Sequence, residues 1–256
     1  MLKNKLFGLA ALSIISISLM SCGLEHREAV VYDWGYFQYI HIGDNSIYQD
    51  KNDRSLVIVG FTESGLEQER LDMPRKLGKF DVKRIGLKDS NFYHLNDRNL
   101  SCGEKLKKLF IFDNIEKIEN FYATNVDVFY NSETYFLEGS DDRYSYKHIY
   151  FYKPLWLELG YRELYASSDN YVRRHLPANV NFMNNYPIAK GTNLYRIDNI
   201  EKSEKLIKPD DPILENYTFK GWYLEPECIN QFDFDTAPTI EEDSTLDLYA
   251  SWEANN

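Results

Sequence analysis

The chain has 256 residues and a formal net charge of −11, a balance that disfavours nucleic acid or an anionic membrane surface as a direct partner. Its length can hold one large domain or two small ones. An aromatic share of 15%, with 20 Tyr and 15 Phe, leans towards β-structure.

Residues 1–21 are set apart from the folded body. Lys3 and Lys5 form a positive start, and Leu6 to Met20 is an apolar run broken only by Gly8, Ser13, Ser16 and Ser18. That run is short of the about 20 apolar residues that a transmembrane helix needs. Leu19-Met-Ser-Cys22 resembles the lipobox of bacterial lipoproteins. The resemblance implies cleavage by signal peptidase II before Cys22 and a diacylglycerol on its thiol. The expected location is therefore the bacterial cell envelope, lipid-anchored and surface-exposed. Several acyl chains bury enough CH₂ groups to hold the protein, where a single chain would be marginal.

Residues 22–52 read as the lipidated N-terminus and a capping strand or hairpin. Val30 to Ile42 is rich in β-branched and aromatic residues, and turn signals follow at 43–46 and 50–53. Residues 53–177 form the next region, opening with the strand run Leu56-Val-Ile-Val-Gly60. Two of its segments look alike. Leu71-Asp-Met-Pro74 precedes Val82-Lys-Arg-Ile85-Gly86, and Leu109-Phe-Ile-Phe112 precedes Ile115-Glu-Lys-Ile118. Each reads as Leu-x-apolar, a polar corner, then apolar-x-x-apolar. This pattern resembles the BspA-type leucine-rich repeat, without that family's usual Ala-Phe and with irregular spacing. It implies a short β-solenoid whose coils bury leucine and isoleucine against the next coil. A β-sheet domain of another kind is the alternative. Further coils are expected through Val126–Tyr130 and His148–Tyr152. Lys153 to Leu176 suits helix and strand equally.

Residues 178–256 form the last domain. In Leu246-Asp-Leu-Tyr-Ala-Ser-Trp252, Leu246, Leu248, Ala250 and Trp252 alternate with polar neighbours, the period of a half-buried strand. In Tyr217-Thr-Phe-Lys-Gly-Trp-Tyr223, the same count puts Tyr217, Phe219, Gly221 and Tyr223 on one face. A glycine inside a strand marks a bulge or a close backbone approach. Phe232-Asp-Phe-Asp235 is a third, short alternation, and Asn179–Tyr186 and Asn193–Asn199 are expected to supply the first two strands. The aromatic frame resembles the Listeria–Bacteroides repeat, also called the internalin B-repeat, although Asn216 replaces its usual glycine and Asp247 is inserted. The resemblance implies a small β-grasp-like module found on bacterial surface proteins and carries no catalytic residues. Phe182, Phe219, Trp222, Phe234 and Trp252, with Gly221, are the expected structural core. Tyr195, Tyr223 and Tyr249 are expected on the open face.

Chemistry-bearing patterns are sparse. His26, His41, His94, His148 and His175 are scattered without metal-ligand spacing, and nucleophile elbows, phosphate loops and dinucleotide fingerprints are missing. Asp141-Asp142, Asp210-Asp211 and Glu241-Glu242-Asp243 read as solvated edges rather than the two carboxyls of a glycosidase facing each other across a cleft. Cys102 and Cys228 could pair in an exported protein, but separate part-buried thiols are the simpler expectation. No catalytic, metal or cofactor residues are expected. The fold class expected is mainly β, a leucine-rich-repeat-like region followed by a β-grasp-like module. The function expected is binding or adhesion to a protein or glycan partner, with the membrane reached through the lipid on Cys22. A passive envelope component, or less favourably a surface glycan hydrolase around Asp141, are the alternatives.

Overall fold

The computed structural model describes residues 30–41, 55–86, 103–119, 121, 123–135, 146–161, 175–188 and 191–255. The expected export signal, Cys22, Cys102, Asp141-Asp142 and the turns expected at 43–46 and 50–53 lie outside the described residues. The fold is mainly β and divides into two compact units. The first takes the described residues up to Asp127 together with 146–147, and the second takes Val128–Tyr135 and the chain from His148 onward.

In the first unit β1 (Tyr32–Trp34) and β2 (Phe37–His41) form a hairpin around Gly35, whose φ of 57° suits a residue without a Cβ. β3 (Leu56–Phe61) pairs antiparallel with β2. After it comes α1 (Glu63–Leu66), a single turn in which the Thr62 hydroxyl accepts from the Gly65 N–H at 3.2 Å. The chain continues through β4 (Arg70–Asp72), β5 (Lys76–Leu77), β6 (Phe80–Ile85), β7 (Lys108–Phe112) and β8 (Lys117–Ile118), then enters β9 (Ala123–Asn131). β3, β6 and β8 lie side by side and parallel. β4 runs parallel to β7, and the Asp127 N–H of β9 donates to Lys107 O at 2.8 Å.

The two look-alike segments occupy equivalent places. Leu71 stands opposite Leu109, and Ile85 stands opposite Ile118. All four are buried, as are Met73, Val82, Ile111 and Ile115. Like residues stacked in register let each pair of strands bury its side chains against the next. The polar corner is tied by Asn114, whose amide donates to Val82 O at 2.8 Å and Pro74 O at 3.3 Å. Gly86 follows β6 at φ 73°, and a Cβ there would stand 1.6 Å from Glu119 O.

In the second unit, the later part of β9 supplies Phe129 and Tyr130. Phe129 stacks on Tyr150 of β10 (Tyr146–Phe151) at 5.0 Å, and Tyr130 meets Phe151 at 5.0 Å. β10 continues into α2 (Lys153–Glu158), which settles the Lys153–Glu158 stretch as helix, and β11 (His175–Pro177) pairs parallel with β10. The remainder is a four-stranded mixed sheet of β12 (Val180–Met183), β13 (Leu194–Asp198), β14 (Tyr217–Tyr223) and β15 (Leu246–Ala254), ordered β13-β12-β15-β14 with β12 and β15 parallel. The connection from β13 to β14 carries no helix among its described residues, 199–216, and instead drops Ile200 and Leu206 into the core.

One face of this sheet is dry. Val180, Phe182, Trp222, Leu248 and Ala250 are buried there, with Phe219, Phe232, Phe234 and Trp252 packed around them. Strict alternation along β14 is broken. The register slips between Phe219 and Gly221, so that Lys220 is an extra residue and Phe219 and Trp222 share the core face at 5.3 Å. Tyr223 faces the other way, opposite Tyr249. The expected third alternation at 232–235 is not a strand. A single bridge joins Tyr223 to Gln231, after which Asp233 accepts from the Asp235 N–H at 2.9 Å and the Thr236 hydroxyl at 2.7 Å to hold a turn.

Candidate ligand-binding cleft

The predicted core residues fall at graded depths. Phe182 and Trp222 are fully buried and meet edge to face at 4.9 Å. Phe219, Phe234 and Trp252 lie half-buried at the margin of the same cluster. The Trp252 indole donates to Asn184 O at 2.7 Å, while the Trp222 indole nitrogen has no hydrogen-bond partner among the described residues. Gly221, at φ 141°, brings β14 close enough to Gln231 that a Cβ would meet Nε2 at 2.7 Å. These residues build the sheet and its core.

The expected open face is not open. Asn181, Met183 and Ile197 are buried, although they lie on the side away from the aromatic core. Tyr195 packs against the core and donates to Asp210 O at 2.9 Å, so it leaves the predicted set. Asn181 donates to Asp247 Oδ1 at 2.7 Å. Burial first, then the charges of Asp247 and Glu133 and the neighbouring Tyr249, hold the Tyr152 phenol above its usual range. Burial and Asp247 do the same to Tyr249. The free edge of β13 is covered too. Asn131 Oδ1 accepts from the Ile197 N–H at 2.7 Å, and Glu133 Oε1 accepts from the Leu194 N–H at 2.9 Å. Edge amides left bare would template pairing with other chains.

A cleft of about 430 Å³ opens where three stretches of the second unit converge. α2 gives the first wall. Pro154 sits in its first turn, where no N–H is needed, and Trp156 Nε1 donates to His175 O at 2.9 Å. That bond fixes the indole as buried wall, while Leu157 is 43% exposed at the rim. The β11–β12 junction, Pro177-Ala178-Asn179, gives the second wall. Asn179 clamps it, donating to Ile200 O at 2.8 Å and accepting from the Ile200 N–H at 3.0 Å. Its carbonyl accepts from the Leu246 N–H at 2.8 Å. The third wall is the turn Ile240-Glu-Glu-Asp-Ser244, closed by the Ser244 N–H donating to Glu241 O at 3.0 Å. Lys153 Nζ donates to Asp243 O and ties this turn to α2.

The cleft therefore pairs an apolar floor with a rim of three exposed carboxylates and one ammonium. Among the described residues no ion pair reaches Glu241, Glu242 or Asp243. No three His, Cys, Asp or Glu side chains gather as a metal site among the described residues, and no described helix is long and apolar enough to cross a membrane. Cys228 is a free, half-buried thiol. The sequence pointed to the acidic triplet only as a solvated edge, and gave no signal for Trp156 and Leu157 as its neighbours. The cleft is assembled from positions some 85 residues apart, so no local pattern could announce it.

With the geometry in place, the comparison with known families decides one point. Residues 179–251 match the Listeria–Bacteroides repeat domain. The repeat begins at the clamping Asn179 and ends within β15, so the match covers the four-stranded sheet and the acidic turn but not α2. Repeats of this kind occur in bacterial surface proteins. No curated protein and no solved structure matches the chain.

Proposed function

We propose that the protein is a lipid-anchored bacterial surface protein that binds a protein or glycan partner and performs no turnover. The observation that carries this reading is the Listeria–Bacteroides repeat at residues 179–251. The lipobox ending at Cys22 supports the anchor. The parallel strands of the first unit, with Leu71 over Leu109 and Ile85 over Ile118, support a short leucine-rich-repeat-like stack as the companion body. Such stacks present extended faces suited to macromolecules. The net charge of −11 keeps the body off anionic surfaces and nucleic acid.

Two measurements test it. Metabolic palmitate labelling should mark the native protein and vanish in a Cys22→Ser variant; label that persists removes the anchor. Capture of cell-surface material on the immobilised protein should enrich a defined protein or glycan. Recovery of nothing beyond further copies of the chain would favour an envelope assembly component instead.

A further inference from the structure

Resting on the reading as a binding protein, we propose that the cleft beside α2 receives a basic side chain, lysine or arginine, from a polypeptide partner. The floor is apolar, formed by Trp156, Pro177 and Ile240, and the rim carries Leu157, Glu241 and Glu242. A lysine or arginine has the matching shape, an aliphatic stem that packs on apolar surface and a cation that stays at the wet end. Three carboxylates stand against a single ammonium, and Lys153 already spends a donor on the Asp243 carbonyl. The rim is thus short of positive charge, and adjacent like charges at Glu241 and Glu242 repel until a cation arrives. The volume of about 430 Å³ lies in the range of ligand pockets.

Other occupants fit less well. A sugar ring needs an exposed aromatic face, and the Trp156 indole is buried and held by His175 O. Nucleic acid and anionic headgroups meet charge of their own sign. A bare metal ion needs converging ligands, which the described residues do not supply. The carboxylates act by charge and the floor by apolar contact, so both should contribute to binding.

The test uses the full chain purified in detergent and a dye-labelled Gly-Lys-Leu-Lys-Gly peptide, read by fluorescence polarisation. Saturable binding is expected, at least tenfold weaker in a Glu241→Gln, Glu242→Gln, Asp243→Asn variant and severalfold weaker in Leu157→Ser. All four positions are exposed, so folding should be preserved. An Asp210→Asn, Asp211→Asn variant removes charge away from the cleft and should bind like the parent. Equal loss in that control would reduce the effect to general charge attraction and overturn the proposal, as would absence of binding to the parent. Spermine competing as well as unlabelled peptide would also overturn it, in favour of a small polyamine. If the rim variant still captures surface material, the cleft assignment falls while the binding reading stands.

Discussion

The in-register stack of the first unit and the aromatic sheet of the second solve the same burial problem with opposite materials. The stack uses many medium aliphatic side chains, Leu71, Val82, Ile85, Leu109, Ile111, Ile115 and Ile118, with Leu71 set opposite Leu109 and Ile85 opposite Ile118. The sheet uses a few large rings, with Phe182, Phe219 and Trp252 gathered about Trp222. A ring buries about 150–250 Å², so a small module gains much from each one. The difference predicts where each unit breaks. In the sheet, stability is concentrated in single side chains; in the stack, it is spread over side chains and limited by how closely backbones approach.

The sharpest break is expected at Trp222. Trp222→Ala should destabilise the second unit by about 3–5 kcal/mol, read by denaturant unfolding. Trp222→Phe should cost well under that, because the buried indole N–H has no partner to lose. A phenylalanine variant as unstable as the alanine variant would mean that the indole nitrogen does make a bond.

Next in size is Gly86→Ala in the stack. The left-handed backbone and the clash with Glu119 O together should cost about 2–4 kcal/mol, although no side chain is removed. By contrast, Ile85→Val should cost only about 0.5–1.5 kcal/mol, as neighbouring strands share the load. If Ile85→Val proved as damaging as Trp222→Ala, the contrast between the units would collapse.

Below Gly86→Ala but above Ile85→Val comes Asn131→Ala, expected to cost about 1–3 kcal/mol by stripping the Ile197 amide of its acceptor. Hydrogen exchange at Ile197 should speed up before exchange at Phe182, which lies in the interior of the same sheet.

The smallest effect is acidic. The side chains and backbone of Asn230 hold the Glu225 carboxyl below its usual value, Thr236 and the Asp235 N–H do so for Asp233, and Lys220 does so for Glu253. Each lowered value adds stability that is present above the unfolded-state pKa and is lost as pH falls through the folded one. All three belong to the second unit, Glu253 on β15 and the other two in the connection that leads to it, so acidification below about pH 4 should loosen the second unit before the first. Circular dichroism melts at pH 3 and pH 6, with exchange data to assign the unit, check the order. At the other extreme, the raised values of Tyr152 and Tyr249 withdraw stability as pH climbs past about 10.

What could be read from the sequence follows from how far each signal reaches. Leu71-x-Met73 and Leu109-x-Ile111 were recognisable because equivalent positions in stacked strands meet equivalent demands, and the structure sets them opposite each other. Alternation in Leu246–Trp252 was legible because β15 runs without a slip. Counting by twos failed along β14, where Lys220 inserts and turns Trp222 onto the face of Phe219. Nothing in the composition marks that insertion except Gly221 itself. Phe232–Asp235 alternates as a strand would, yet the Asp233 side chain satisfies backbone and hydroxyl donors locally, and a turn wins. The open face failed for a longer-range reason, since Tyr152 reaches it and the 131–133 stretch caps the edge beside it. The cleft was invisible on the same ground.

The caps on β13 carry a further meaning. They lie 61 and 66 residues ahead of the amides they satisfy. A ribosome releases the amino end first, so both acceptors have been made before Leu194 and Ile197 appear. The lid is thus on hand as the strand emerges, and once it docks kindred chains nearby find no bare hem to stitch onto. A graft of residues 179–251 into a foreign host would leave that protection behind, and the recipient would have to supply a replacement or tolerate clumping.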